Sequence, residues 1–173
     1  MRMTCFNSKI VLGDRPITDP GHGRPVDALD KVCKAYKNCL RCTHLIHGDS
    51  CIGEFVSYRY EIINGEAVCT NEANTCERAI CECDAKFARE HAGKTEVFDV
   101  KYHQFYSTIN GGAMWDPAND DAACKHGGGG VHDPQCCTPK DGTGPAILYN
   151  AAIKACCSDG RIVNDVSQCS IHN

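Results

Sequence analysis

The sequence predicts a small, disulfide-rich α+β fold, and three observations predict it. Fifteen of the 173 residues are cysteine, the density of a disulfide scaffold. Two segments, near residues 29–40 and 79–87, repeat apolar side chains at helical spacing. Between them, residues 54–69 alternate with period two around Asn64-Gly65, a strong hairpin signal.

Taken in order, residues 1–24 carry Gly13, Pro16, Pro20 and Gly21 and read as an irregular arm. Pro25-Val-Asp-Ala-Leu-Asp30 then opens a helix, with Asp27 and Asp30 in its first turn, where the helix dipole favours carboxylates. Leu29, Val32, Cys33, Tyr36, Cys39 and Leu40 form its apolar face. In the hairpin, Tyr58, Tyr60 and Ile62 share one parity, and Asn64-Gly65 suits a type I′ turn. A second helix is expected to begin near Asn74, with Glu77 completing a capping box. Its apolar stripe is Ala79, Ile80, Cys83 and Phe87. After Gly93 comes a mixed segment, Val97 to Tyr106.

From residue 111 the texture changes. Cys124, the run Gly127 to Gly130 and the pairs Cys136-Cys137 and Cys156-Cys157 leave little apolar sequence for a separate core. The boundary is placed near residue 110, giving domains of 1–110 and 111–173. The tail is read as irregular or β structure pinned by disulfides, with Ile147 to Lys154 as its one helical candidate.

Composition also excludes. A net charge of −4 gives no footprint for nucleic acid. No apolar run approaches the ~20 residues of a membrane span. Only Cys39-Leu-Arg-Cys42 has zinc-knuckle or redox spacing, and neither role fits the remaining cysteines. The compartment is therefore read as oxidising and extracellular, for a secreted protein. The start lacks an apolar signal region, so the chain reads as a mature or trimmed form. No Asn-x-Ser/Thr site occurs. An odd number of cysteines implies at least one thiol that is free or bonded to another chain.

The run Gly21-His-Gly-Arg-Pro25-Val-Asp27-Ala-Leu29-Asp30-Lys-Val-Cys33-Lys-Ala-Tyr36-Lys37-Asn38-Cys39 resembles the active-site helix of secreted phospholipase A2. So does Cys76-Glu-Arg-Ala-Ile-Cys81-Glu-Cys83-Asp84, and Tyr58-Arg-Tyr60 with Cys69 fits the intervening hairpin. The resemblance spans residues 20–92. It implies two antiparallel, disulfide-linked helices with pairs Cys39–Cys83, Cys51–Cys76 and Cys69–Cys81. Val32 and Glu90 stand where two family cysteines bond each other, so that bridge is absent as a unit. Cys33 loses its family partner at Ile17, and Cys5 or Cys42 are the replacements considered.

The resemblance also implies a chemistry. The family uses a histidine general base and an adjacent aspartate that binds Ca²⁺. Those positions are Tyr36 and Lys37, and Arg15 to Pro20 replaces the glycine-rich calcium loop. On these grounds the chain is expected not to be an enzyme, to have no catalytic residues and to need no cofactor. Asp84 and Tyr58, the family's supporting pair, are retained and read as structural.

In the tail, Cys136-Cys137, Tyr149-Asn150 and Cys156-Cys157-Ser-Asp-Gly160-Arg-Ile-Val163 resemble one galaxin-type repeat of animal skeletal matrices. His126 with Gly127 to Gly130 is similar to a lipase oxyanion loop, but no Gly-x-Ser-x-Gly elbow accompanies it. No metal site is expected; the candidates weighed are His126, His132, Asp133, Asp116, Asp120 and Asp121. Lys31, Lys34, Lys37 and Arg41 give the first helix a basic face, while the acidic balance of the chain disfavours attack on membranes. Met114 and Trp115 are read either as an exposed anchor or as packing under a loop.

The expected function is that of a non-catalytic extracellular matrix protein, structural in a biomineral or fibrous assembly. The expected partners are its own copies or other matrix proteins, with a mineral surface or lipid as further possibilities, no nucleic acid and no transmembrane segment. Two alternatives stand beside it: a lipid- or partner-binding, toxin-like module, and an active phospholipid hydrolase.

Overall fold

The computed structural model describes residues 27–94 and 133–171. The chain divides into two compact units, residues 1–34 with 90–129 and residues 35–89 with 130–173. The arm over residues 1–24, the segment Val97 to Tyr106, the boundary near residue 110, and Met114 and Trp115 lie outside the described residues.

Helix α1 spans Ala28–His47. Asp27 caps it: the Asp30 N–H donates to Asp27 Oδ1 at 2.7 Å, and the Lys31 N–H donates to the Asp27 carbonyl. The helix runs about two turns further than the apolar pattern, which ends at Leu40, suggests. It stops at Gly48, whose φ of +90° permits the left-handed residue that closes the last turn onto His44. Val32, Cys33, Cys39, Leu40 and Cys42 are buried.

Strands β1, Tyr60–Ile63, and β2, Glu66–Cys69, form an antiparallel hairpin in which Tyr60 faces Cys69 and Ile63 faces Glu66. Asn64 and Gly65 both have positive φ, 55° and 83°, as a two-residue type I′ turn requires. The base of the hairpin is tethered to its surroundings: Asn71 Oδ1 accepts from the Arg59 N–H, and the Arg78 guanidinium donates to the Asn71 carbonyl. Arg78 also pairs with Glu82 one helical turn along, at 2.6 Å.

Helix α2 spans Cys76–Ala92, and here the expected cap is corrected. Thr75, not Asn74, caps the helix, with its Oγ1 accepting from the Arg78 N–H at 3.2 Å. Asn74 cannot serve because it sits in the left-handed region, at φ +60°. Ile80, Cys81, Cys83 and Ala85 are buried.

The C-terminal residues of the second unit form two small hairpins. Strand β3, Pro134–Cys137, pairs antiparallel with β4, Ile147–Asn150. Strand β5, Ala155–Cys156, pairs antiparallel with β6, Ile162–Val163. A 3-10 helix, Val166–Ile171, follows. The helical candidate Ile147 to Lys154 is therefore corrected: its first half joins a sheet, and Asn150 Oδ1 turns the chain by accepting from the Asp133 and Ala152 N–H groups.

Six disulfides hold the described residues. Cys39–Cys83, Cys51–Cys76 and Cys69–Cys81 are the pairs that the family resemblance implies. Cys42 bonds Cys136, so it is not available to Cys33. Cys137–Cys156 joins the two small hairpins, and Cys157–Cys169 ties down the 3-10 helix. Each adjacent cysteine pair thus sends its two sulfurs to different elements. The loop between β3 and β4 also lies against the start of α2. A Cβ placed on Gly142 would fall 2.3 Å from Asn74 Oδ1 and 2.5 Å from its backbone nitrogen.

Candidate functional site

Three residues from three segments meet at one carboxylate. Tyr36 lies on α1, three residues before Cys39. Asp84 lies on α2, next to Cys83. The Cys39–Cys83 bond, with Cα atoms 5.8 Å apart, therefore brings the two side chains together. Tyr36 also stacks on Phe87, with ring centroids 4.5 Å apart. An earlier residue of α1 meeting a later one of α2 shows that the helices run antiparallel. Tyr58 arrives from the segment leading into β1, whose hairpin is bonded to α2 through Cys69–Cys81. Tyr58 and Ala67 pack on the small core of Cys69, Cys81 and Ala85.

The Tyr36 hydroxyl donates to Asp84 Oδ1 at 2.7 Å, and the Tyr58 hydroxyl donates to Asp84 Oδ2 at 2.6 Å. These are short, charge-assisted bonds. Burial first, and then the hydrogen bond to Asp84 and its negative charge, push both phenols well above the ordinary tyrosine value. The charge of Glu54 adds to this at Tyr36. At neutral pH both phenols are therefore proton donors. All three residues remain half-buried. A phenol released from Asp84 has an O–H to offer a phosphate or ester oxygen, while Asp84 keeps its other partner.

Calcium is the metal the family resemblance brings. The described residues do not fit it. By the resemblance, Lys37 stands where the family's carboxylate ligand is expected, and a cation there would oppose a divalent ion. Among the described residues no group of three or more His, Cys, Asp or Glu side chains could hold a metal. Residues 15–20, His126, His132, Asp116, Asp120 and Asp121 lie outside the described residues. Asp133 is exposed on the approach to β3, where its side chain accepts from Gln135. Sequence reasoning found Asp84 and Tyr58 as a structural pair by resemblance, and the two are hydrogen-bonded; it missed Tyr36 as the second donor, because it treated Tyr36 as a missing base.

Residues 18–103 match the family model described as Phospholipase A2. The chain is 38% identical over 73 residues to Acidic phospholipase A2 2 of Naja sagittifera, covering 42% of this chain and 56% of that protein. It is 33% identical over 88 residues to the Basic phospholipase A2 beta-bungarotoxin A2 chain of Bungarus multicinctus, covering 48% and 59%. It is 37% identical over 73 residues to Acidic phospholipase A2 2 of Naja naja, covering 42% and 60%. Residues 18–103, just under half of the chain, are thus similar to a phospholipase A2 domain, and the chain spans under two thirds of the length of these relatives. The expectation that the chain is not an enzyme is corrected by these matches: relatives at 37 and 38% identity bear an enzyme's name. Its physical weakness was to let the residue types at positions 36, 37 and 15–20 stand for the whole site, although the carboxylate and both its donors are held in place by disulfides.

Proposed function

We propose that the phospholipase A2 domain acts on phospholipid, outside the cell, with Asp84, Tyr36 and Tyr58 as the polar centre that receives the headgroup and ester region. One observation carries this reading: a half-buried carboxylate gripped by two phenols, one from each side, on a disulfide-fixed helix pair. Phospholipid supplies the phosphate and carbonyl acceptors that phenol donors recognise. The six disulfides support an oxidising compartment. The test is a titration with a monodisperse short-chain phosphatidylcholine, followed by tyrosine spectroscopy, with fatty-acid release from vesicles measured alongside. Saturable binding that falls about tenfold in Tyr36→Phe or Tyr58→Phe supports the proposal. Absence of binding, or binding undiminished from the native protein in both variants, refutes it.

A second reading concerns the tail. Its cysteine pairs, bonded in turn to α1, to one another's hairpins and to the 3-10 helix, resemble a galaxin repeat and suit a stiff spacer in an extracellular matrix. Multimers of the native protein that reducing agent dissolves would support self-association through the tail.

A further inference from the structure

The tip of the β1–β2 hairpin carries a reactive pair that the phospholipid reading does not use. Asn64 and Gly65 lie outside the strand ladder, which ends at Ile63 opposite Glu66. Both are exposed, as are their neighbours from Glu61 to Glu66, and a Cβ placed on Gly65 would meet nothing within 4 Å. The backbone nitrogen that follows an asparagine can attack its carboxamide, and the attack is least hindered when the following residue is glycine, which has no side chain. The other described asparagines lack this freedom. Asn38 sits inside α1, where the next amide is held in the helical ladder. Asn71, Asn150 and Asn164 commit their side-chain oxygens to the Arg59 N–H, to the Asp133 and Ala152 N–H groups and to Lys154. Asn74 precedes the β-branched Thr75 and lies against the tail loop.

We infer that Asn64 is a self-modification site, converting through a cyclic imide to isoaspartate and aspartate while the protein stays folded. The Gly65 nitrogen bonds to Asn64 Cγ, the Cγ–Nδ2 bond breaks, and ammonia leaves with the Gly65 amide proton. Water then opens the ring. Addition at Cγ restores the original chain with an aspartate. Addition at the Asn64 main-chain carbonyl breaks the original peptide bond and leaves the chain running through Cβ and Cγ. Water is the only co-reactant. Ring closure needs a main-chain rotation at Asn64 that the type I′ turn does not supply, so the tip opens locally first. Opening is confined to the tip because the base of the hairpin is tied. The Thr70 N–H donates to the Arg59 carbonyl at 3.0 Å, Asn71 Oδ1 accepts from the Arg59 N–H, and Cys69 is bonded to Cys81. Isoaspartate therefore lengthens the turn without displacing Tyr58, and each product adds a carboxylate near Glu66. The inference is independent of the phospholipid reading.

The test incubates the native protein, disulfides intact, in mildly alkaline buffer, beside a reduced and denatured sample as reference. Peptide mapping follows Asn64 by the mass gain of an amide turned into an acid, with fragmentation that separates isoaspartate from aspartate. A second Asn-Gly pair, Asn110-Gly111, lies outside the described residues and falls on a different tryptic peptide. The expected result is progressive conversion at Asn64, with isoaspartate the larger product and a more acidic band in isoelectric focusing. Asn38, Asn71, Asn74, Asn150 and Asn164 should stay intact over the same time. Asn64→Gln, which would have to close a larger ring, should lose the conversion. Asn64 intact in the native protein but converted in the denatured sample shows that the turn protects it and overturns the inference. Aspartate without isoaspartate overturns the imide route. Conversion spread evenly over the other described asparagines overturns the selectivity. A late tyrosine titration that moves in step with conversion overturns its confinement to the tip.

Discussion

Gly142 offers the sharpest quantitative test of how the tail joins the helix pair. Its φ is +68°, a conformation that costs an L residue about 1–2 kcal/mol. Alanine there also brings a Cβ to 2.3 Å from Asn74 Oδ1, 2.5 Å from Asn74 Cγ and 2.5 Å from the Asn74 backbone nitrogen. The amide oxygen can rotate away, but the nitrogen belongs to the turn that enters α2 and moves only with the backbone. Overpacking of this kind adds roughly 1–3 kcal/mol. Gly48 provides the matched control, because its φ is +90° and a Cβ there meets nothing within 4 Å. Gly48→Ala should therefore show the conformational penalty alone. By urea denaturation with disulfides intact, Gly142→Ala should lose about 2–5 kcal/mol and Gly48→Ala about 1–2 kcal/mol. In melting temperature, each kcal/mol is about 2–4 °C for a chain of this size. Asn74→Gly in the Gly142→Ala background should restore part of the loss, since it removes two of the three colliding atoms. Equal losses at Gly142 and Gly48 would refute the close approach of the tail loop to α2.

Three further outcomes are expected. Asp84→Asn replaces one accepting oxygen by a donating NH₂ and removes the charge from both phenol bonds, so stability should fall by roughly 1–3 kcal/mol, read as a lower urea midpoint at unchanged slope. Tyr36 and Tyr58 have folded-state pKa values raised above the unfolded 10.0, so their contribution is fully present below about pH 10 and is lost as pH rises beyond it; absorbance at 295 nm should show late-titrating tyrosines, and Tyr36→Phe/Tyr58→Phe should flatten the alkaline decline in stability. Removing the Cys42–Cys136 bond, which spans 94 residues, as Cys42→Ser/Cys136→Ser should cost about 4–5 kcal/mol in the chain-entropy account, measured as a lower denaturant midpoint.

The parts of the fold legible in sequence are those set by local chemistry. Asn64-Gly65 dictates its own turn, because both residues tolerate positive φ. The helix pair is legible from apolar spacing and from the family motif around Cys76 to Asp84. The start of α2 is not, because Asn74 and Thr75 are both good caps by type and only the backbone at Asn74 decides between them. The pairing of β3 with β4 is not legible either, since it depends on register across a polar loop, and Ile147 to Asn150 is too short for periodicity to separate strand from helix. Cys42 illustrates the limit for disulfides. Its spacing from Cys39 suggests a local motif, yet its partner lies in the tail, and only three-dimensional proximity selects it. At the site, the residue types are readable but the hydrogen-bond direction is not. A tyrosine where a base is sought looks like a loss until a carboxylate is found within its reach.

The placement of the cross-links separates what stabilises this unit from what fixes its chemistry. Because the helices run antiparallel, the end of α1 and the start of α2 lie at the same end of the pair. The tail grips that end, through Cys42 on α1 and the contact of Gly142 with Asn74 before α2. Tyr36, Asp84 and Phe87 lie toward the other end. Between the two stands Cys39–Cys83, which fixes the helix separation for both. Loosening the tail should therefore lower stability while leaving the two phenols on Asp84, since Cys39–Cys83 and Cys69–Cys81 persist. Substituting Asp84 should do the reverse, moving the late tyrosine titration to lower pH, though not to the ordinary value because burial persists, while the tail keeps its grip. The late titration unchanged in Gly142→Ala and moved to lower pH in Asp84→Asn is the pattern this division of labour requires. The same move in both variants would mean that the tail contact and the carboxylate site are one cooperative structure.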